Sequence, residues 1–123
     1  MPDATLQGRH ILVVEDEYFL ADELDLVLQE AGAELLGPVA SVEGGLRILA
    51  SRTVLDAASL DVNLGGETVY RLADALVARA VPFLFITGYD QGAIPSSYAH
   101  IRRLEKPVEP KTVLMELEKL LKG

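Results

Sequence analysis

The stretch Ser59-Leu60-Asp61-Val62-Asn63-Leu64-Gly65-Gly66-Glu67 changes character abruptly in its middle. An apolar run containing Val54, Leu55, Ala57, Ala58 and Leu60 stops at one carboxylate, Asp61. Two glycines then open a segment with helical patterning. A strand buried on both faces of a parallel sheet reads as such a continuous apolar run. In an open α/β sheet, ligands and chemistry collect at the carboxyl ends of the strands. Asp61 would stand at that edge. It is a reactive group if other strands send a cation site, a hydroxyl and an amine there, and otherwise only a helix-start residue.

Working outward, the same alternation recurs. His10-Ile11-Leu12-Val13-Val14 is a short β-branched run that ends in Glu15-Asp16-Glu17, a strand followed by an acidic loop. Tyr18 to Ala31 is helical, with Leu20, Leu24, Val27 and Leu28 on one face and Gly32 just past the end, where a C-terminal cap favours glycine. Glu34 to Ala40 reads as a second strand, and Pro38 implies an irregular or edge position. Ser41 caps a helix over Val42–Ser51, weakened by Gly44-Gly45. The third strand covers Val54 to Leu60, and Glu67–Arg79 is a helix with Val69, Leu72, Ala73, Leu76 and Val77 inward. Pro82–Ile86 is a fourth strand stopping at Thr87-Gly88, and Tyr89–His100, with Gly92 and Pro95, is a short or broken helix. Ile101–Leu104 is an edge strand, Lys106-Pro107 a turn, and Pro110 starts a last helix with Leu114, Leu117, Leu120 and Leu121 as its buried stripe. Right-handed crossovers then give a doubly wound α/β fold, a five-stranded parallel sheet with helices on both faces.

Composition sets the bounds. The chain of 123 residues is the size of one domain, and half of it is hydrophobic. No apolar run approaches the ~18 residues of a membrane span, and Met1-Pro2-Asp3-Ala4-Thr5 shows no export signal, so a cytoplasmic protein with no membrane partner is expected. Cysteine is absent, which excludes disulfides, thiolate metal sites and a cysteine nucleophile. A formal net charge of -8 disfavours nucleic-acid binding, and Arg102-Arg103 is too short a basic pair to reverse that.

The expected sheet edge carries Glu15, Asp16, Asp61, Thr87 and Lys106. Three carboxylates in one crevice repel one another, and a hard divalent cation such as Mg²⁺ relieves that repulsion while leaving positions for phosphate oxygens. A threonine hydroxyl and a lysine ammonium both suit phosphoryl oxygens, and a carboxylate is a competent nucleophile toward phosphorus.

At these residues the chain resembles the receiver domain of two-component response regulators, and the resemblance covers essentially all of residues 1–123, with no output domain. It implies a flavodoxin-like (βα)5 fold with metal ligands Glu15, Asp16, Asp61 and the backbone carbonyl of Asn63, for Mg²⁺ or Mn²⁺. It further implies Asp61 as phospho-acceptor, Thr87 as switch hydroxyl and Lys106 as the paired lysine. Phe85-Ile86-Thr87-Gly88-Tyr89 is similar to the Phe-Ala-Thr-Gly-aromatic variant of single-domain regulators in alphaproteobacteria. The implied role is a stand-alone signalling protein rather than an enzyme, phosphorylated by a histidine kinase, of the HWE type or a relative, or by a histidine phosphotransfer protein. It would act on a downstream protein or drain phosphoryl groups, as a monomer or weak homodimer. One position departs from the pattern. Receivers often carry an aromatic three residues before the lysine, and here that residue is Arg103, so the switch is left to Thr87, Tyr89 and Arg103.

Each residue taken singly has an ordinary explanation: Asp16 or Glu17 as a helix-start charge, Asp61 as a turn residue, Lys106 as a solvated charge. His10 and His100 lack metal-ligand spacing and a helical phosphotransfer setting, and read as structural or solvated. Tyr18, Ala21, Asp22 and Asp25 would face a kinase's helical bundle. Three other functions compete. A haloacid-dehalogenase-type phosphatase needs a second acid where Asn63 stands. A flavodoxin-like FMN binder needs a phosphate loop where Glu15-Asp16-Glu17 stands. A receiver acting only as a phosphorylation-independent binding module is kept open by Arg103.

Overall fold

Alternation of apolar strands with amphipathic helices brings five strands into one parallel sheet. The computed structural model describes residues 5–51, 54–88 and 94–122. In chain order the strands are β1 (His10–Val14), β2 (Glu34–Val39), β3 (Ala57–Asp61), β4 (Asn63–Leu64), β5 (Glu67–Thr68), β6 (Phe83–Thr87) and β7 (Arg103–Glu105). The helices are α1 (Tyr18–Glu30), α2 (Val42–Ser51), α3 (Tyr70–Ala78) and α4 (Pro110–Lys122), with a 3-10 turn at Ser96–Tyr98. The sheet order is β2-β1-β3-β6-β7, all pairs parallel. The carboxyl ends of β1, β3, β6 and β7 therefore stand side by side. This is the expected doubly wound, flavodoxin-like arrangement.

Strand alternation splits the core into two layers. Ile11, Val13, Leu84 and Ile86 face α1 and α4, packing with Leu24, Leu28, Val113 and Leu117. Leu12, Val14, Leu60 and Phe85 face α2 and α3, packing with Val42, Leu49, Leu72 and Leu76. The central strands β3 and β6 are buried at every residue, which is why they read as unbroken apolar runs. β2 is the edge strand that Pro38 implied, and its pairing with β1 shifts register between Leu12 and Val14. Ser41 Oγ accepts the Gly44 N–H at 3.0 Å, the expected cap of α2. Gly45 does more than weaken that helix. A Cβ there would lie 2.5 Å from Leu72 Cδ2, so its absence lets α2 and α3 approach.

Four sequence expectations need correction. The segment after Asp61 is not helical from Glu67; β4 and β5 pair as an antiparallel hairpin, and α3 starts only at Tyr70. Gly65 and Gly66 hold φ +61° and +96°, the left-handed pair that a two-residue hairpin turn demands. Val77 is 54% exposed, because Val69, Leu72, Ala73 and Leu76 already fill the arc that the sheet covers. In α4 the buried centre is Val113 and Leu117, with Leu114, Leu120 and Leu121 only half-buried and Glu116 turned inward. Finally, β3 begins at Ala57 rather than Val54, since Asp56 breaks the run by accepting the His10 N–H through its carboxylate at 2.7 Å. The region expected as a broken helix shows only the 3-10 turn among its described residues, and Tyr89 lies outside them.

Candidate functional site

β1 delivers its acidic loop directly to the sheet edge. The Glu15 N–H continues the ladder to the Val39 carbonyl at 2.9 Å, which buries Glu15 to 3% exposure while Asp16 emerges into solvent. Asp61 is the last residue of the neighbouring β3 and is also 3% exposed. One oxygen from each of Glu15, Asp16 and Asp61 lies within 4.8 Å of the others. Lys106 follows β7, its N–H donating to the Thr87 carbonyl at 2.8 Å. Its ammonium reaches across the sheet edge to donate to Glu15 Oε2 at 2.8 Å and Asp61 Oδ2 at 3.1 Å, with Glu17 Oε2 at 3.4 Å. Thr87, buried at the end of β6, places its hydroxyl 3.5 Å from the Leu104 carbonyl.

The charges do not balance. Burial, then the charge of Glu15, raise the Asp61 carboxyl from 3.8 to about 7, although Lys106 pulls the other way. Burial alone would lower the Lys106 ammonium, but its hydrogen bonds and attraction to Glu15 and Asp61 outweigh this and hold it above its ordinary value. Glu15 Oε2 accepts from both Lys106 Nζ and the Glu17 N–H, whereas Glu15 Oε1 is buried and among the described residues has no hydrogen-bond partner. A buried carboxylate oxygen without a donor is costly unless something positive meets it. An orphaned oxygen inside a hard-donor carboxylate set fits Mg²⁺ or Mn²⁺, which take oxygen ligands.

The β4–β5 hairpin closes one side of the crevice. Gly65 N–H donates to Asp16 Oδ2 at 3.0 Å, Gly66 N–H to Asn63 Oδ1 at 2.9 Å, and Asn63 N–H to Asp61 Oδ1 at 3.4 Å. Asn63 pairs with Thr68, while the Val69 N–H donates to the Val62 carbonyl at 2.9 Å. In the antiparallel alternation this makes Asn63–Thr68 a non-hydrogen-bonded pair, which leaves the Asn63 carbonyl outside the ladder.

The structure thus gathers Glu15, Asp16, Asp61 and Lys106, with Asn63 beside them and Thr87 at the next strand end. Arg103 stands exposed opposite Phe85, and the space on that side is filled from elsewhere. Tyr98 stacks on Tyr70 with ring centroids 5.3 Å apart, and both rings meet Phe85 edge-on. The Tyr98 hydroxyl donates to the Asp74 carboxylate, and burial, with that bond second, pushes its phenol up to about 12. Sequence reasoning missed this cluster, because Tyr70 and Tyr98 are 28 residues apart. It also missed Phe19 and Leu26, which are 76% and 61% exposed beside the 75% exposed Tyr18. Apolar residues on the polar side of the α1 pattern were the available signal.

No protein-family model and no curated protein matches the chain. Solved structures do. SdrG from Sphingomonas melonis Fr1 is 36% identical over 89% of this chain and 95% of SdrG, with a TM-score of 0.75. The BeF3-activated conformation of SdrG from Pseudomonas melonis Fr1 is similar at 37% identity, covering 98% of this chain and 99% of that one, with a TM-score of 0.74. A protein described as a response regulator from Chloroflexus aurantiacus J-10-fl is 28% identical over 95% of this chain and 100% of its own, TM-score 0.76. Identity of this extent over nearly the whole of SdrG, on the same parallel sheet, shows that the chain belongs to the receiver domains of response regulators.

Proposed function

We propose that this receiver accepts a phosphoryl group on Asp61 from a histidine kinase, or a histidine phosphotransfer protein, in a divalent-cation-dependent reaction. The observation that carries the reading is the buried Asp61 carboxylate, held at a strand end 3.1 Å from Lys106 and within the same cluster as Glu15 and Asp16. Glu15, Asp16, Asp61 and the Asn63 carbonyl would hold the cation, which when bound offsets the acidic charge and that of the incoming phosphoryl group. Lys106 positions one Asp61 oxygen and meets charge developing on the phosphoryl group. The Asp61 carboxylate attacks phosphorus; its O–P bond forms as the N–P bond of the phosphohistidine breaks, and the departing imidazole recovers a proton from water. The Thr87 hydroxyl exchanges the Leu104 carbonyl for a phosphoryl oxygen.

The protein is then a signalling component rather than a turnover enzyme, and changed binding of a downstream protein, or draining of phosphoryl groups, is its output. The exposed Tyr18 and Phe19, at the start of α1 and in edge contact with each other, supply a docking surface for the kinase's helical bundle, of the HWE type or a relative. Tyr18→Ala is expected to slow transfer from the kinase about tenfold, the scale of an aromatic anchor, while acetyl phosphate labels it as before.

Incubation with Mg²⁺ and acetyl phosphate, read by intact mass, tests the central reading. A phosphoryl adduct on the wild type that disappears in Asp61→Ala supports it. A wild type that is never modified and does not bind beryllofluoride favours the phosphorylation-independent binding module, a reading to which the exposed Arg103 lends weight.

A further inference from the structure

Asp16 differs from its two partners in the acidic cluster. Glu15 and Asp61 are buried and share Lys106, whereas Asp16 is exposed, and among the described residues no cation pairs with it. An exposed aspartate facing two buried carboxylates is driven toward solvent by like-charge repulsion. It is nevertheless found with an oxygen within 4.8 Å of theirs. Among the described residues one hydrogen bond holds it there, from the Gly65 N–H to Oδ2 at 3.0 Å.

That N–H belongs to the hairpin turn. Gly65 and Gly66 have φ of +61° and +96°, and a Cβ at either would meet nothing within 4 Å. Space therefore does not require glycine here; the left-handed backbone does. Gly66 N–H is in turn fixed on Asn63 Oδ1 at 2.9 Å, so both turn amides are committed to side chains flanking Asp61.

We infer that the Gly65-Gly66 turn is a positioning element for the cation, with the Gly65 N–H holding Asp16 in the cluster against the repulsion of Glu15 and Asp61. This inference rests on the cation-dependent reading of the site. A neutral amide suits the task, because it restrains the carboxylate without adding a counter-charge, and the cluster keeps its full attraction for a divalent ion. A lysine in the same place would neutralise part of the charge the cation needs. The hairpin lies outside the five-stranded sheet and anchors in one core layer through Leu64, while Gly65 and Gly66 themselves belong to neither layer, so the Gly65→Asn control shows whether a change in the turn disturbs that anchor.

The test pairs two substitutions. Gly65→Val puts a β-branched residue where φ is +61° and distorts the turn. Gly65→Asn keeps both the N–H and a residue tolerant of that conformation. In calorimetric titration with Mg²⁺, Gly65→Val should bind tenfold or more weakly and Gly65→Asn within about threefold of wild type, since outer-shell partners of metal ligands are worth about 10–100-fold. Without metal, Asp16→Ala should move the backbone amide resonance of Gly65 upfield and speed its hydrogen exchange. Wild-type affinity in Gly65→Val, or a Gly65 amide indifferent to Asp16→Ala, overturns the inference while leaving the cation reading in place. A wild type that does not bind Mg²⁺ at all overturns the cation reading itself, and this inference with it.

Discussion

Among the described residues two clusters hold buried carboxylates, and they are built on opposite principles. On α4, Glu116 is turned inward and meets two cations, Arg102 Nε at 3.0 Å and Lys119 Nζ at 3.3 Å. The Arg102 bond, with Lys119 behind it, outweighs burial and lowers its pKa below the usual 4.5. At the carboxyl edge of the sheet the ratio is inverted. Lys106 is shared among Glu15, Glu17 and Asp61, and Asp61 is raised to about 7. The first cluster is neutralised where it stands and pins the start of β7 to α4. The second is left short of positive charge, as functional sites commonly are. A charge balanced by the fold stabilises the fold; a charge left unbalanced awaits a partner from outside.

The sharpest way to probe that contrast is pH. The folded state holds the Asp61 proton more tightly than the unfolded chain, whose carboxyl titrates near 3.8. Stability of the metal-free protein in urea unfolding should therefore fall as pH rises from about 4 to about 7, the largest effect expected. Asp61→Asn should abolish this loss and be the more stable protein at pH 8. Millimolar Mg²⁺ should recover much of it for the wild type, since binding to the folded state alone stabilises by mass action. Glu116 has the opposite sign. Its contribution is present above its unfolded pKa of 4.5 and is lost as pH falls through the lower folded value, and Mg²⁺ should leave that acid limb unchanged. A metal-free protein equally stable at pH 4 and pH 7 would break the comparison.

Removing the cations should separate the clusters again. Lys106→Met strands two buried carboxylates, and a loss of about 3 kcal/mol is expected at pH 8 without metal, the usual scale of a broken buried pair. The smallest effect belongs to Arg102→Ala. Arg102 is 54% exposed and Lys119 still faces Glu116, so about 1 kcal/mol is expected, and added salt should shrink it. A larger loss for Arg102→Ala than for Lys106→Met would reverse the assignment of structural and functional charge.

Much of this was legible along the chain. The apolar runs ending at Val14, Leu60 and Ile86 marked three strands because strands buried on both faces need no polar alternation, and the residues that follow them are Glu15, Asp61 and Thr87. Legibility failed where partners are distant. The stripe Leu114, Leu117, Leu120 and Leu121 leaves Glu116 out, and only the fold brings Arg102 into its reach. Tyr98 sat in a segment of weak periodicity, and only the fold stacks it on Tyr70 beside Phe85. The hairpin is a different case. Leu64-Gly65-Gly66-Glu67 carries a local turn signal, but the helical pattern downstream was extended over it by three residues, to Glu67 from an actual start at Tyr70.

The sequence by itself determined which residues stand at the ends of strands, because run length, periodicity and caps are read over a few neighbouring residues. It likewise determined that the edge is rich in carboxylates and poor in cations. Tertiary structure alone decided that β1 and β3 are neighbours, that Lys106 bridges Glu15 and Asp61, and that the Gly65 N–H restrains Asp16. Those contacts join residues 91, 45 and 49 positions apart. Their geometry follows from the sheet order and from how the loops close over its edge, which no local pattern encodes.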